Sequence, residues 1–298
     1  MIRVAFLGLG AIGRPMARRL ASGAFDLAVW NRTGTVARVF VTETGNRARA
    51  ASSPAQAARG REIVITCLPT SREVESLLDG PEGLLAGLDA GALLVDCTSG
   101  DPAGSRRIAA RLAERGVGFV DAPVSGGTSG AERGTLTVMC GGAAPDVERA
   151  RPVLAAFGER IVHCGIVGTG DALKAVNNAL LAVHIWSTAE GLAALARAGV
   201  SPAVALEVIN ASSGRSNASM NLFPERVLTR AFPRTFRLAL LDKDVGIAAE
   251  VAREQRVASP VLQLTAELVR AAHHKLGEEA DHVEAVRVVE DWSGVEIK

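Results

Sequence analysis

The sequence predicts a doubly wound, mostly parallel α/β sheet in the N-terminal part of the chain, followed by an all-α C-terminal domain. Short apolar or β-branched runs alternate with helical patterns over the first half, which is typical of a parallel sheet with helical crossovers. A Gly-x-Gly-x-x-Gly sequence follows the first of these runs directly, as it does in Rossmann-type folds. After about Gly170 the strand-like runs end and helical patterns take over.

The strand-like runs are continuous and apolar, as strands buried on both faces of a parallel sheet require. Between the last two of them, a clear helical pattern extends from Pro102 to Arg115. We therefore expect strands at Val4–Leu7, Leu27–Trp30, Ile63–Cys67, Leu93–Cys97 and Phe119–Val120.

A glycine-rich stretch, residues 165–170, is expected to end the last strand and to open a long helix. We place the domain boundary there, with a dinucleotide-binding domain at 1–164 and a helical domain at 165–298 that holds the substrate site and the oligomer interface. The long apolar helix has more surface than one small domain covers, which favours a homodimer or homotetramer. Helices are expected at Asp171–Ala198, Pro202–Asn210, Ala239–Arg256 and Pro260–Leu276.

Composition excludes several classes of partner. The chain has 298 residues, 48% of them hydrophobic, and 33 basic residues nearly balance 32 acidic ones. Since the basic residues form no long tract, neither nucleic acid nor a membrane surface is expected as a partner. The four cysteines lack the spacing of a metal site, so we expect no metal and free thiols in a reducing cytoplasm.

The glycine motif predicts the cofactor site. Gly8 would make the tight turn, Gly10 would let backbone amides approach a pyrophosphate, and Gly13 would let helix and strand pack closely. The helix that follows would point its N-terminus at the phosphates. The alternative is a plain strand-to-helix turn. The predicted cofactor-binding loop comprises Gly8, Leu9, Gly10, Ala11, Ile12 and Gly13.

The end of the second strand favours NADP(H) over NAD. An NAD enzyme places a carboxylate there for the ribose 2′-hydroxyl, whereas this chain has Asn31, Arg32 and Thr33. Arg32 offers a charge-assisted hydrogen-bonding fork to a 2′-phosphate, and its two neighbours offer neutral donors. Asp26 precedes the strand and cannot take the missing role. The alternative for Arg32 is an ordinary solvated surface arginine.

Two further segments are candidates for chemistry. The glycine-rich segment Asp121–Gly130 follows a strand and could present backbone amides and the Ser125 hydroxyl to a substrate carboxylate, or it could be a structural turn. In the first long helix, Lys174 and Asn178 are four residues apart and share a face, with Asn177 close by. Apolar neighbours predict a largely buried setting for these polar groups, which could be a functional site or a structural network.

Taken in order, three segments resemble the β-hydroxyacid dehydrogenase family, which includes 3-hydroxyisobutyrate dehydrogenase. They are Gly8–Leu20, Asp121–Gly127 and Lys174–Asn178, and Leu240–Val245 is similar to the lysine-containing segment of that family's helical domain. The resemblance covers nearly the whole chain.

The resemblance implies a role for each site residue. Lys174 would act as general base on a hydroxyl during oxidation and as general acid on a carbonyl during reduction, with a small β-hydroxy acid or its semialdehyde as substrate. Asn178 would orient the substrate beside the lysine, and Asn177 is a substrate-binding candidate because it lies close to the same helix face. Ser99 stands where the family usually has threonine. The substrate carboxylate would bind to Ser125, Gly126 and Gly127, and further cofactor contacts would come from Leu68, Pro69, Ser99 and Lys243.

Two alternative functions remain open. Imine reductases share this architecture but usually lack the lysine. The presence of Lys174 therefore argues against imine reduction here. A non-catalytic NADP-binding module is disfavoured because Lys174 is present and no basic or reader segment has been added. A decarboxylating enzyme similar to 6-phosphogluconate dehydrogenase would need a glutamate where this chain has Leu181.

Overall fold

The computed structural model describes all 298 residues and divides into two compact units, Met1–Lys174 and Ala175–Lys298. The division falls inside a long helix, whereas the sequence analysis places the domain boundary just before that helix, at residues 164 and 165.

The first unit contains a nine-stranded sheet, and this confirms the predicted fold class. The strands run in the order β3-β2-β1-β4-β5-β6-β8-β7, and β9 pairs with β8. All pairings are parallel except those of β8 with β6 and β7. The strands are β1 Ile2–Leu7, β2 Phe25–Trp30, β3 Ala48–Ala50, β4 Ile63–Thr66, β5 Leu93–Asp96, β6 Gly118–Asp121, β7 Val124–Ser125, β8 Leu136–Gly142 and β9 Gly158–Gly165.

Helices cover both faces of this sheet. Alternate residues of β1 enter opposite cores, with Val4 and Phe6 in one and Ala5 and Leu7 in the other, because successive strand side chains point to opposite faces. The helices of this unit are α1 Gly13–Ala21, α2 Gly34–Glu43, α3 Pro54–Ala58, α4 Ser71–Ser76, α5 Pro102–Ala113, α6 Gly127–Arg133 and α7 Ala144–Leu154.

The expectations from sequence name no segment for β3, β7 or α6 and give no bounds for β8, α2, α3, α4 and α7. They do include a last strand that ends at the glycine-rich stretch, and β9, which ends at Gly165, is that strand. Strand β3 has only three residues, Ala-Arg-Ala, too few for a recognisable apolar run. Helix α6 begins Gly-Thr-Ser-Gly, residues of low helix propensity, so the expected loop over 121–130 is wrong from Gly127 onwards.

The second unit is helical, as predicted. Its core is formed by buried side chains from several helices, among them Trp186, Phe223 and Leu241. The sequence analysis missed α12 and the π-helix, which contains Pro224 and therefore breaks the helical pattern. The elements are α8 Thr169–Arg197, which begins in the first unit, α9 Pro202–Asn210, a π-helix Ala218–Val227, α10 Leu238–Glu254, α11 Pro260–Leu276, a 3₁₀-helix His282–Ala285 and α12 Val286–Ser293.

Helix α8 is the one helix long and apolar enough to cross a membrane by length and composition, and 39% of its most apolar window is buried. Core helices of globular domains have the same properties. Its buried residues, from Ala175 to Ala193, belong to the hydrophobic core of the second unit. This placement is that of a core helix.

Candidate active site

The glycine loop between β1 and α1 has the geometry of a dinucleotide cradle. Gly8 has a φ of +103°, and a Cβ there would lie 2.2 Å from the Cys67 carbonyl oxygen. A Cβ on Gly13 would lie 2.0 Å from the Gly8 carbonyl oxygen, whereas Gly10 has nothing within 4 Å of that position. The loop therefore requires glycine at its two ends and leaves open space at its middle.

The open space at Gly10 lies directly before the start of α1. Helix α1 begins at Gly13. The Arg14 and Met16 amides of its first turn donate to the carbonyl oxygens of Gly10 and Ile12, and Pro15 has no amide hydrogen. The amides of residues 10–13 are therefore the ones left to bind phosphate at this helix N-terminus. The residues present therefore fit the pyrophosphate of a dinucleotide.

Asn31 joins the glycine loop to the end of β2. Its Oδ1 accepts a hydrogen bond from the Leu9 amide at 3.0 Å, and its Nδ2 donates to the Thr33 carbonyl oxygen at 3.2 Å. The side chain thus supports the loop, a role the sequence analysis missed. Arg32 and Thr33 are exposed just before α2. Asp26 lies at the start of β2 and pairs with Arg49 and Arg61.

The loops that follow β4 and β5 are joined through Thr98. Its hydroxyl accepts a hydrogen bond from the Leu68 amide at 3.0 Å, and its own amide donates to Asp96 Oδ1 at 3.0 Å. Burial raises the pKa of Asp96 to about 6. Pro69 is exposed and Ser99 is half-buried on these loops. Leu68 also lies against the glycine loop, 2.9 Å from where a Cβ on Gly8 would be.

The segment from Ser125 to Gly127 connects β7 to α6. Ser125 is half-buried and pairs with Thr137 of β8. Gly126 and Gly127 have φ values of +133° and +65°, which residues with a Cβ rarely adopt. The turn exposes backbone at the start of α6, where an anionic group is favoured.

Lys174 is half-buried in the second turn of α8. Asn178 is 4% exposed, whereas Asn177 is exposed and donates from Nδ2 to Asn178 Oδ1 at 3.2 Å. The expected burial of the whole cluster is wrong in part, because the neighbouring Leu173 and Leu180 are 45% and 49% exposed. Helix α8 therefore carries apolar side chains that the chain leaves exposed as well as buried ones.

Within the second unit, Asp244 joins two of the predicted site residues. Asn178 Nδ2 donates to Asp244 Oδ2 at 2.6 Å, and Lys243 Nζ lies 3.1 Å from Asp244 Oδ1. The Asp244 side chain is 3% exposed. The sequence analysis assigned no role to this carboxylate, although it directly follows Lys243. A contact between residues 66 positions apart leaves no signal in a single sequence.

Two family models cover almost the whole chain. The NAD-binding domain of 6-phosphogluconate dehydrogenase matches residues 3–165. The NAD-binding domain of NADP-dependent 3-hydroxyisobutyrate dehydrogenase matches residues 168–289.

Individual relatives are similar over the same length. The chain is 37% identical to 2-(hydroxymethyl)glutarate dehydrogenase of Eubacterium barkeri over 99% of this chain and 97% of the relative. It is 38% identical to 3-hydroxyisobutyrate dehydrogenase of Pseudomonas aeruginosa over 88% and 89% of the two chains. The structure of Mycobacterium tuberculosis 3-hydroxyisobutyrate dehydrogenase with L-serine has a TM-score of 0.87 and 27% identity, covering 97% of this chain and 99% of the other. The chain therefore belongs to the β-hydroxyacid dehydrogenase family of NAD(P)-dependent oxidoreductases.

Proposed function

We propose that this enzyme interconverts a small β-hydroxy acid and its semialdehyde, with NADP(H) as the preferred cofactor and Lys174 as the proton-transfer residue. The observation that carries this proposal is the position of Lys174, a half-buried amine on the same helix as the buried Asn178. The whole-chain likeness to hydroxyacid dehydrogenases supports it.

The relatives narrow the substrate class. The names of two of them specify 2-(hydroxymethyl)glutarate and 3-hydroxyisobutyrate, and the structural neighbour is named with L-serine. All three molecules contain the unit HOCH₂–CH(X)–COO⁻ and differ in the substituent X. We infer that this enzyme acts on a 2-substituted 3-hydroxypropanoate, with the primary alcohol as the reacting group.

The chain's own groups suit this reaction. The residue 8–13 loop would hold a nicotinamide dinucleotide, which when bound would supply the hydride chemistry at the alcohol or aldehyde carbon. Lys174 as the amine takes the hydroxyl proton during oxidation, and as the ammonium returns a proton to the carbonyl oxygen during reduction. The Ser125 hydroxyl and the amides of Gly126 and Gly127 hold the carboxylate. Asn178 orients the reacting oxygen, and its hydrogen bond to Asp244 fixes its side chain.

The preference for NADP(H) is proposed from the residues around the ribose. Arg32 is exposed beside the start of α2, and no carboxylate lies there to repel a 2′-phosphate. Arg32→Gln should weaken NADPH binding in calorimetric titration by roughly 10-fold or more, since a charge-assisted hydrogen bond contributes about 1.5–3 kcal/mol. NADH affinity should not change. Equal losses for both cofactors would contradict the assignment.

Turnover tests the reaction class. The purified protein should oxidise NADPH with methylmalonate semialdehyde or tartronate semialdehyde, and should reduce NADP⁺ with 3-hydroxyisobutyrate, L-serine or 2-(hydroxymethyl)glutarate. Lys174→Ala should bind NADPH with unchanged affinity and lose about 10²–10⁴-fold in kcat. Reduction of cyclic imines without activity on any of these acids would instead favour the imine reductase alternative.

We also propose that the enzyme is a homodimer or homotetramer. The helical unit exposes large apolar side chains, including Val208, Leu264 and Trp292, which are 60%, 61% and 61% exposed. Several such side chains on one small unit favour burial against another subunit. Light scattering at micromolar concentration should give at least twice the mass of the chain, and a monomer mass would contradict the proposal.

A cytoplasmic location is proposed from the cysteines. All four are free thiols, as expected for a reducing compartment. Cell fractionation should recover the enzyme with cytosolic markers, and recovery with the membrane pellet would contradict this.

A further inference from the structure

Two buried carboxylates hold the first turn of α8, and the proposed reaction uses neither of them. Asp121 is the last residue of β6 and Asp171 lies in the first turn of α8. Both belong to the first unit, and their exposed fractions are 0% and 1%. Between them they connect α8 to the loop that carries Ser99 and to the strand that precedes the Ser125 segment.

Asp121 caps α8 from the sheet. Its Oδ1 accepts a hydrogen bond from the Gly168 amide at 2.7 Å, and its Oδ2 accepts one from the Asp171 amide at 3.1 Å. These are amides at a helix N-terminus, where a carboxylate is favourable. Asp121 also lies four residues before Ser125 in the chain. It therefore links the proposed carboxylate-binding segment to the helix that carries Lys174.

Asp171 connects the same turn to the loop after β5. Its Oδ1 accepts a hydrogen bond from the Gly100 amide at 3.1 Å, and its Oδ2 accepts one from the Ser105 hydroxyl at 2.6 Å. Gly100 follows Ser99, which the family resemblance implies is a cofactor contact. Asp171 precedes Lys174 by three residues, or about one helical turn.

Glycines make room for both carboxylates. A Cβ on Gly141 would lie 2.6 Å from both Asp121 carboxylate oxygens, and one on Gly170 would lie 2.8 Å from Oδ2. A Cβ on Gly100 would lie 3.2 Å from Asp171 Oδ2. The backbone at Gly141 and Gly170 therefore approaches Asp121 more closely than a residue with a Cβ would allow, whereas at Gly100 the closest contact of a Cβ would be Ser71 Oγ at 2.5 Å.

We propose that Asp121 and Asp171 are positioning residues that fix Lys174 relative to the Ser99 loop and the Ser125 segment. The inference rests on the proposed role of Lys174. Hydride and proton must reach the carbon and the oxygen of one carbonyl group, so the Ser99 loop, as a cofactor contact, and the lysine must keep a fixed separation. Misplacement by about 1 Å can slow such a reaction by about 10²-fold.

The energetic cost of this arrangement fits a positioning role. Burial raises the pKa of Asp121 to about 6, and burial together with the charge of Asp121 raises that of Asp171. Burying these two neighbouring carboxyl groups therefore lowers the free energy of unfolding. Their hydrogen bonds supply the directional control that apolar packing of the same volume lacks.

The test compares three variants with a matched control. Asp171→Ala removes both acceptors, Ser105→Ala removes one donor, and Asp171→Asn keeps an acceptor for Gly100 while its amide can donate to the Ser105 hydroxyl. The control, Ser53→Ala, removes the half-buried hydrogen bond to the Gln56 amide that caps α3. The four proteins are compared by kcat, KM, NADPH affinity and the isotope effect with 4-deuterated NADPH.

We expect Asp171→Ala to lose about 10²-fold in kcat while NADPH affinity stays within about threefold. The isotope effect should rise, because hydride transfer becomes rate-limiting, and Asp171→Asn should recover most of the rate. Ser105→Ala should lie between wild type and Asp171→Ala. Ser53→Ala should keep the wild-type kcat and isotope effect. If Asp171→Ala has the same kcat and isotope effect as Ser53→Ala, once the rates of both are normalised to folded protein, the proposal is overturned.

Hydrogen exchange on the cofactor-free protein gives a readout independent of turnover. Asp171→Ala should lose amide protection in peptides covering 98–104 and 168–172, and Ser53→Ala should not. Unchanged protection in those peptides would overturn the proposal. A fully active Lys174→Ala would instead refute the proposed function, and the exchange result would still report whether Asp171 anchors the loop.

Discussion

Substituting alanine at two glycines of the cofactor loop should separate folding from cofactor binding. The Gly13 Cβ position is 2.0 Å from the Gly8 carbonyl oxygen, and contacts under 3.0 Å essentially never occur. The Gly8 carbonyl must therefore retreat by about 1 Å in Gly13→Ala. Overpacking of this kind costs roughly 1–3 kcal/mol. For a unit of this size the melting temperature should fall by roughly 2–12 °C.

Gly10→Ala is the matched control, because nothing lies within 4 Å of its Cβ position. Its melting temperature should stay within about 2 °C of wild type, since no cavity or clash forms. A methyl group there would meet the bound pyrophosphate, however, and a clash of about 1–3 kcal/mol weakens NADPH binding roughly 5–150-fold. Calorimetry of unfolding and NADPH titration measure the two effects. A Gly13→Ala protein as stable as wild type, or a Gly10→Ala protein that binds NADPH normally, would refute this account of the loop.

Three further predictions concern buried polar groups. Asp244→Ala leaves Asn178 and Lys243 without their shared carboxylate, so kcat/KM should fall roughly 10–100-fold, and steady-state kinetics that match wild type would count against it. The pKa of Asp96 is raised to about 6 by burial, so its stabilising contribution is full below its unfolded value near 3.8 and is lost as pH rises through 6. Asp96→Asn should therefore be more stable than wild type at pH 7.5, keep about half of that advantage at pH 5 and lose it as the pH falls to about 3.8. A stability difference that does not change with pH in denaturant titration would contradict this. Desolvation raises the pKa of the half-buried Cys67 to about 12, so iodoacetamide at pH 8 should leave this thiol unmodified in mass spectra, and rapid alkylation would contradict the raised pKa.

The sequence predicted the fold correctly where the apolar periodicity was strong. Strands β1, β2 and β4 to β6 and helices α5 and α8 to α11 match the expected segments within a few residues. The failures came where the pattern was short or contradicted propensity. Helix α6 forms from a Gly-Thr-Ser-Gly start because β8 and α1 pack against it, and no local signal shows that packing.

The residues of the candidate site likewise divide into those that the sequence predicted and those that it did not. Its glycines and Lys174 were recognisable because motif spacing and a family resemblance mark them. Asp121, Asp171 and Asp244 were not assigned roles, since each has a hydrogen-bond donor that lies 47 to 71 positions away in the chain. Asn31 was read as a possible phosphate contact, whereas its side chain bonds Leu9 and Thr33. Long-range hydrogen bonds of this kind become visible only with the fold.

The most direct test of the account is the rate of hydride transfer in Lys174→Arg, measured by stopped-flow absorbance with saturating NADPH and semialdehyde. Arginine keeps the positive charge but does not give up its proton near neutral pH. If Lys174 donates the proton to the carbonyl oxygen, the rate should fall by about 10²–10⁴-fold with NADPH affinity unchanged. A rate near that of wild type would show that charge alone suffices, and would contradict Lys174 as the proton-transfer residue.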